Sequence, residues 1–247
     1  MDTSTIEQAT IGQSENPLWH KIRRNKITAS KVGPIVKRKI ITPKFVKDTL
    51  RPKNIFFLPA IRWGLENEAA AIKAYSSHSK NFVKPCGIFI SPLQSWLGAT
   101  PDGVVYDPHE KSTGLLEIKC PFSIRMKKPK DCFENMSCTD REGKLKQNHN
   151  YYYQIQTQLY ATGYKWCDFV IYTPVGLHIQ RVPFNETYYT EKVIPKLEGF
   201  YKDHFEPAIR SEIDQTQTKE IPTTEIQTTD ISTTEIQTTE IPSIIMK

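Results

Sequence analysis

Asp102, Glu117 and Lys119 fall within one stretch, GATPDGVVYD…TGLLEIKCPF, which runs from Gly98 to Phe122. On an extended strand Glu117 and Lys119 share a face, and Ile118 points the opposite way into a core. Asp107, Pro108 and Gly114 are turn residues, so the stretch reads as an antiparallel hairpin. A turn centred near His109–Glu110 brings Asp102 opposite Glu117 or close to Lys119. Pro101 restricts Thr100 to an extended shape and ends strand pairing, which frees the Asp102 side chain. Two carboxylates this close repel unless a cation sits between them. Mg²⁺ suits such a site because it takes oxygen ligands and keeps waters for a phosphate to displace. The Ile118 carbonyl could add a further ligand. Lys119 would then orient a water nucleophile or steady charge on a phosphate, which are the components of metal-assisted phosphodiester hydrolysis. The spacing D-x14-E-x-K also fits a solvated hairpin face with a cross-strand Glu–Lys pair, and taken alone it leaves both readings open.

The surrounding pattern predicts the elements that must position these groups. LWHKIRRNKITASKVGPIVKR opens with a helical turn or two, followed by a Thr28/Ser30 cap and a short helix from about Lys31. FFLPAIRWGLENEAAAIKAYSSHS predicts a strong helix with Ile61, Leu65, Ala69, Ile72 and Tyr75 on one stripe. Strands follow over Val83–Ile90, Trp96–Ala99, Val104–Tyr106 and Leu115–Lys119. A lysine-rich connector leads to a helix around Asn150–Thr162. A hairpin turning at Val175–Gly176 and a last helix over about Asn185–Ile209 complete the pattern. The order predicts one α/β (α+β) domain over residues 17–211, a central mixed sheet flanked by helices.

The ends of the chain read differently. Residues 1–16 are polar and predicted to be disordered. From Glu220 the chain repeats EIPTT, EIQTT, DISTT, EIQTT, EIPSI. A period of five aligns isoleucines on neither a helix face nor a strand face, so residues 212–247 are predicted to be a disordered low-complexity tail. That tail holds seven acids against two lysines, a net of −5, so with the chain at +6 residues 1–211 carry +11. A body this basic suggests a polyanionic partner. Five scattered cysteines without a C-x-x-C pair argue for reduced thiols, against a disulfide framework or structural zinc. Neither a signal peptide nor a membrane span is legible, and the expected location is intracellular.

PDG…EIK looks like the signature of the PD-(D/E)XK nuclease superfamily, with its restriction-endonuclease-like core. Its neighbours narrow the match. PLWHKIRRNKITASKVGPI, AIRWGLENEAAAIKAY, ATPDGVV, GLLEIKCPF and YYYQIQTQLYATG resemble, in order and with similar gaps, the motifs of the lambda-type exonucleases, the YqaJ viral recombinase family. The resemblance covers residues 17–205. The wording around HNYYYQIQTQLYATGYKWCDFVIYT looks more like animal or transposon-borne members than phage enzymes.

The resemblance implies a Mg²⁺-dependent deoxyribonuclease, with Mn²⁺ as a substitute, degrading duplex DNA from the 5′ end in recombination or repair. It implies metal ligands at Asp102 and Glu117, the catalytic lysine at Lys119, and a further acid from the helix at Glu68. Glu66 competes for that last place; two residues apart on a helix, the two acids point about 200° from each other and only one can face the sheet. The active-site glutamine falls at Gln154, with Gln156 and Gln158 as alternatives. A 5′-phosphate pocket falls at Arg23, Ser30 and Thr100, where Thr100 stands in place of the phage enzyme's serine. His149 and one of Tyr151, Tyr152 and Tyr153 are candidate DNA contacts. The lysines from Lys127 to Lys146 are candidates to track phosphates. The family also implies a ring-shaped trimer and a single-strand-annealing protein as partner, with a nuclear location if the source is eukaryotic. The competing readings are a catalytically silent DNA-binding or interaction module and a nuclease of the same superfamily with another polarity or an endonucleolytic cut.

Overall fold

The computed structural model describes residues 3–219, so the repeats predicted to form a disordered tail lie outside the described residues. In chain order come α1 (Thr3–Ala9), α2 (Pro17–Arg23), β1 (Ile27–Thr28), α3 (Ala29–Lys37), α4 (Pro43–Leu50) and α5 (Pro59–Ser79). The strands β2 (Phe82–Lys84), β3 (Phe89–Ile90), β4 (Leu97–Ala99), β5 (Gly103–Asp107) and β6 (Ser112–Lys119) follow. A connector with three short 3₁₀ turns leads to α6 (Asn150–Thr162), β7 (Trp166–Thr173) and β8 (Gly176–Pro183). The described residues end in α7 (Glu186–Tyr188), α8 (Ile194–Phe200) and α9 (Glu206–Lys219), joined into one run by π-helical stretches at Tyr189–Val193 and Tyr201–Phe205.

The main sheet has the order β2-β5-β6-β7-β8. It is mixed, because β6 and β7 run parallel while its other neighbours are antiparallel. A parallel pair needs a long crossover, and the connector with α6 supplies it. Side chains alternate across the sheet. Leu115 of β6 and Cys167, Phe169 and Ile171 of β7 pack with Ile155 and Leu159 of α6. Leu116, Ile118 and Val170 pack on the other face with Ala71 and Tyr75 of α5. A smaller sheet, β1-β4-β3, stands beside the main one, and α3, α4 and the C-terminal helices close a separate core around Ile27, Val32, Leu50, Tyr189 and Phe205.

Several expectations are corrected. Residues 3–16 are ordered and strap the domain. Glu7 Oε1 accepts from Gly87 N at 3.0 Å, Thr10 Oγ1 accepts from Ile88 N at 2.9 Å, and Gln13 Nε2 donates to the carbonyls of Cys86 and Pro101 at 3.1 and 2.9 Å. These bonds satisfy polar backbone that a short edge strand leaves open, a pairing at long range that composition does not reveal. The predicted strand Val83–Ile90 breaks at Pro85 into β2 and β3, which belong to different sheets. Helix α3 starts at Ala29 on Thr28, so Ser30 lies inside its first turn and is not a cap. Of the predicted α5 stripe only Tyr75 is buried; Leu65 is 49% exposed and Ala69 is exposed, and the other buried residue of the helix is Ala71, outside the stripe. Helix α4, with Thr42 as N-cap and Pro43 in its first turn, has no counterpart in the predicted pattern. The last helix passes residue 211 and runs to Lys219.

Helices α3 and α6 touch at Gly33. A Cβ built there would lie 2.7 Å from Asn150 Oδ1 and 2.9 Å from Asn150 Cα, a backbone atom that cannot rotate away. Gly33→Ala is expected to cost about 1–3 kcal/mol, the range for overpacking a tight contact. A urea melt reads it directly, and an unchanged midpoint would mean the two helices separate at no cost.

Candidate active site

The hairpin register sets the geometry. Gly103 pairs with Leu116, so Asp102 lies across from Glu117 at the next step. Asp102 N donates to Leu116 O at 3.0 Å, and Ile118 N donates back to Asp102 Oδ2 at 2.6 Å. Pairing continues through the Asp102 side chain where the strand ladder stops. Glu117 is buried, 1% exposed, on the α6 side of the sheet. Its Oε1 accepts from the Lys119 ammonium and from Gln154 Nε2, the latter at 2.6 Å. Its Oε2 accepts from Gln158 Nε2, also at 2.6 Å. One helical turn separates Gln154 and Gln158, which is why both amides reach the same carboxylate.

Of the three candidate glutamines, two meet the site. Gln156 points away and is spent on structure: its Nε2 donates to Pro183 O and its Oε1 accepts from Asn185 N. Glu68 lines the cleft with Asp102, Glu117 and Lys119, whereas Glu66 is exposed on the other side of α5. The alternation of helix faces therefore selects Glu68. Ile118 is buried in the sheet core, as its alternation predicts.

Charge is concentrated here. Burial, with Glu117 adding to it, holds the Asp102 carboxyl well above the usual carboxylate range. Burial and then Glu117 also raise Glu68. Burial alone would lower the Lys119 ammonium, but Glu117 and Asp102 beside it outweigh this and raise it. Lys119 also lies 4.8 Å from the ring centre of Tyr151. Tyr152 and Tyr153 are buried, so Tyr151 alone of the three tyrosines opens onto the site.

Among the described residues, no three His, Cys, Asp or Glu side chains converge closely enough, as they are placed, to hold an ion. The cation the carboxylates share in this arrangement is the Lys119 ammonium. The donor chemistry nonetheless fits a hard divalent ion. The acids supply oxygen only, their mutual repulsion is relieved by positive charge, and Gln158 Oε1 is buried without a hydrogen-bond partner.

A cleft of about 730 Å³ joins these groups to the predicted phosphate pocket. Arg23, Ser30 and Thr100 line it together with Glu68, Asp102, Glu117, Lys119 and Gln154. Residues outside the predicted set complete it. Trp19 Nε1 donates to Thr100 Oγ1 at 3.1 Å, and the Arg23 guanidinium sits 4.4 Å from the Trp19 ring centre. Trp19 thus fixes both phosphate-pocket candidates, and its signal in the sequence was only its place one turn before Arg23. The strap residues Gly12–Glu15 form part of the wall. His20 is turned to Ser14 O at 2.8 Å, away from the carboxylates. His149 caps α6, accepting from Tyr151 N at 3.2 Å. The connector lysines Lys127, Lys128, Lys130, Lys144 and Lys146 are all exposed. The five cysteines are free thiols; burial, then the nearby acids, pushes Cys86 up to about 12 and Cys120 up to about 11, so both stay protonated at neutral pH. Among the described residues no helix is long and apolar enough to cross a membrane.

Comparison with known proteins bears on the family and the fold. Residues 18–165 match the family model described as the YqaJ-like viral recombinase domain. The chain is 27% identical over 135 residues to the shutoff alkaline exonuclease of Alcelaphine herpesvirus 1 (strain C500), covering 50% of this chain and 28% of that protein. It is 24% identical over 201 residues to the alkaline nuclease of Autographa californica nuclear polyhedrosis virus, covering 74% of this chain and 47% of that protein. The chain thus spans less than half the length of either viral protein. The crystal structure of an alkaline exonuclease (LHK-Exo) from Laribacter hongkongensis superposes with a TM-score of 0.63 at 25% identity, covering 81% of this chain and 98% of that one. The mixed sheet with helices on both faces is shared with that enzyme, and the matched motifs extend over more than half of the sequence. The chain belongs to the YqaJ-like viral recombinase domain family.

Proposed function

We propose that the chain is a Mg²⁺-dependent exonuclease that hydrolyses duplex DNA from a 5′-phosphorylated end, in the recombination or repair of a viral or mobile-element-derived system. What carries this reading is that a single cleft is lined by three acids, a lysine and an amide at one end, and by an arginine and two hydroxyls at the other. The alkaline exonuclease names of the relatives support the reaction class. Mn²⁺ is the expected substitute ion.

Asp102, Glu117 and Glu68 would hold the ion, with the Ile118 carbonyl as a further ligand. When bound, the ion supplies Lewis-acid polarisation of a phosphoryl oxygen. The chain's own groups do the rest. Lys119, kept charged by the acids around it, donates to the attacking water and to the phosphate oxygens. Gln154 holds the water through its amide. Arg23 offers its fork to the terminal phosphate, and Thr100, whose oxygen already accepts from Trp19, keeps its O–H to donate. Ser30 adds a hydroxyl from the first turn of α3, beside backbone N–H groups that have no intrahelical partner.

The test is cleavage of end-labelled duplex DNA by the purified chain in Mg²⁺. A 5′-phosphate end is expected to be cut at least about tenfold faster than a 5′-hydroxyl end, the value of one charge-assisted contact. Arg23→Gln is expected to remove the preference. Indifference of the wild type to the end phosphate would overturn the polarity and the pocket together. Absence of any metal-dependent cleavage would favour a silent DNA-binding module.

A further inference from the structure

The predicted phosphate pocket is not a dead end. Trp19, Arg23, Ser14 and Phe56 line the catalytic cleft on one side and a second cleft of about 590 Å³ on the other. Past Arg23 the walls of this second cleft carry Arg24, Lys31, Arg51 and Lys53, and no carboxylate among the described residues lines it. Trp19, Ile55 and Phe56 add apolar surface between these cations.

The cations are not equivalent. Arg51 is held in place: Nη1 donates to the carbonyls of Arg24 and Leu50, and Nη2 pairs with Glu212 and Asn25. Arg24 and Lys53 are exposed at the rim. Lys31 is half-buried and makes no ion pair among the described residues. Burial first, then Arg23 and Arg51, lower its ammonium to about 8. A half-buried cation facing two others is a poor arrangement for folding. An anion in the cleft would offset it. Lys31 follows Ser30 directly on α3, so it continues the line of phosphate-binding candidates beyond the terminal pocket.

We propose that this second cleft is a subsite for a phosphate group lying 5′ of the terminal-phosphate pocket, bound by Lys31 between Arg23 and Arg51. The volume falls in the range that holds a nucleotide-sized ligand, roughly 300–1,000 Å³. The apolar walls suit a sugar and base, so the natural source of that phosphate is a strand that continues as a 5′ extension. A 5′-triphosphate offers the same chemistry without the base. The inference rests on the nuclease reading for its meaning, but its binding test does not require cleavage.

The experiment compares three labelled duplexes: a blunt 5′-monophosphate end, a two-nucleotide 5′ extension, and a blunt 5′-triphosphate end. Binding to the full chain is read by fluorescence anisotropy in EDTA, and cleavage separately in Mg²⁺. The extended end is expected to bind about tenfold more tightly than the blunt monophosphate. Lys31→Gln is expected to erase that difference, and Lys31→Arg to keep it. A Lys31-dependent gain for the triphosphate as well assigns the subsite to phosphate alone; a gain for the extension only assigns it to a nucleotide. Equal binding of all three ends by the wild type, or a gain that Lys31→Gln leaves intact, would overturn the subsite. A chain that binds the extension through Lys31 yet cuts nothing in Mg²⁺ would leave the subsite standing and remove the nuclease reading.

Discussion

Asp102→Asn is expected to lower Mg²⁺-dependent cleavage of duplex DNA by about 10³-fold while leaving the fold at least as stable. The size of the loss reflects removal of an electrostatic contact at the reacting centre, where such deletions cost up to about that much. The stability follows from the local geometry. Asp102 Oδ2 accepts from Ile118 N, and an asparagine carbonyl can accept the same bond. What asparagine removes is a negative charge that is buried and set against Glu117. Because the folded-state pKa of Asp102 is raised, the folded protein binds the proton more tightly than the unfolded chain. The group's stabilisation is therefore present below the ordinary Asp range, near pH 3.9, and is lost as pH rises toward the raised value. Without divalent cation at pH 7, Asp102→Asn is expected to melt higher than the wild type, and the gap should close below the ordinary Asp range. Mg²⁺ should raise the melting temperature of the wild type and not of the variant. Full activity in a well-folded variant would remove Asp102 from the chemistry.

A second large effect is expected on the opposite face of the sheet. Asp168 of β7 is 3% exposed and accepts from Tyr75 Oη at 2.6 Å and from Arg181 Nε and Nη2 at 2.9 and 3.1 Å. Arg181 also reaches Asp107 and Glu110 in the hairpin turn and lies 3.7 Å from the Trp166 ring centre. One carboxylate thus ties α5 and β8 to the hairpin that carries Asp102 and Glu117. Asp168→Ala leaves the Tyr75 hydroxyl with only Asn81 as partner, and Arg181 with its two outer acids. Breaking a buried pair costs about 3–5 kcal/mol. Arg181 is 29% exposed and keeps other partners, so the lower end, about 3 kcal/mol, is expected. Asp168→Asn, which can still accept from Tyr75, should lose about half as much. Urea denaturation measures both. Cleavage per folded molecule should be unchanged, since Asp168 faces away from Glu117. An Asp168→Ala protein with the wild-type midpoint would show that the network is not structural.

Legibility varied with the range of the interaction. The hairpin was readable because Asp107, Pro108 and Gly114 are local turn signals, and a two-residue period then assigns every face. Helices α5 and α6 were readable as helices because the 3.6-residue pattern is equally local, although the face that α5 buries was not. Helix α4 was missed although Thr42 and Pro43 are start signals, because the apolar stripe behind them is short. The strap over residues 3–16 was missed because its polar residues read as disorder. Its order comes from bonds to Gly87, Ile88 and Pro101, more than seventy positions along the chain. Gln154 and Gln158 stood as alternatives in the sequence and are partners in the structure.

The sequence by itself singled out the candidate groups: Asp102, Glu117 and Lys119 by strand spacing, and Glu68, Gln154, Arg23, Ser30 and Thr100 by resemblance in motif order. It also determined the sheet-and-helix class, since period and turn chemistry are local properties. Only the tertiary structure decided that Glu68 and not Glu66 faces the acids, that Gln158 joins Gln154 on Glu117, that Trp19 holds Thr100 and Arg23, and that the phosphate pocket opens past Arg23 toward Lys31. Each of these depends on where one element is set against another. That placement is decided by packing between residues far apart in the chain, which no local spacing encodes.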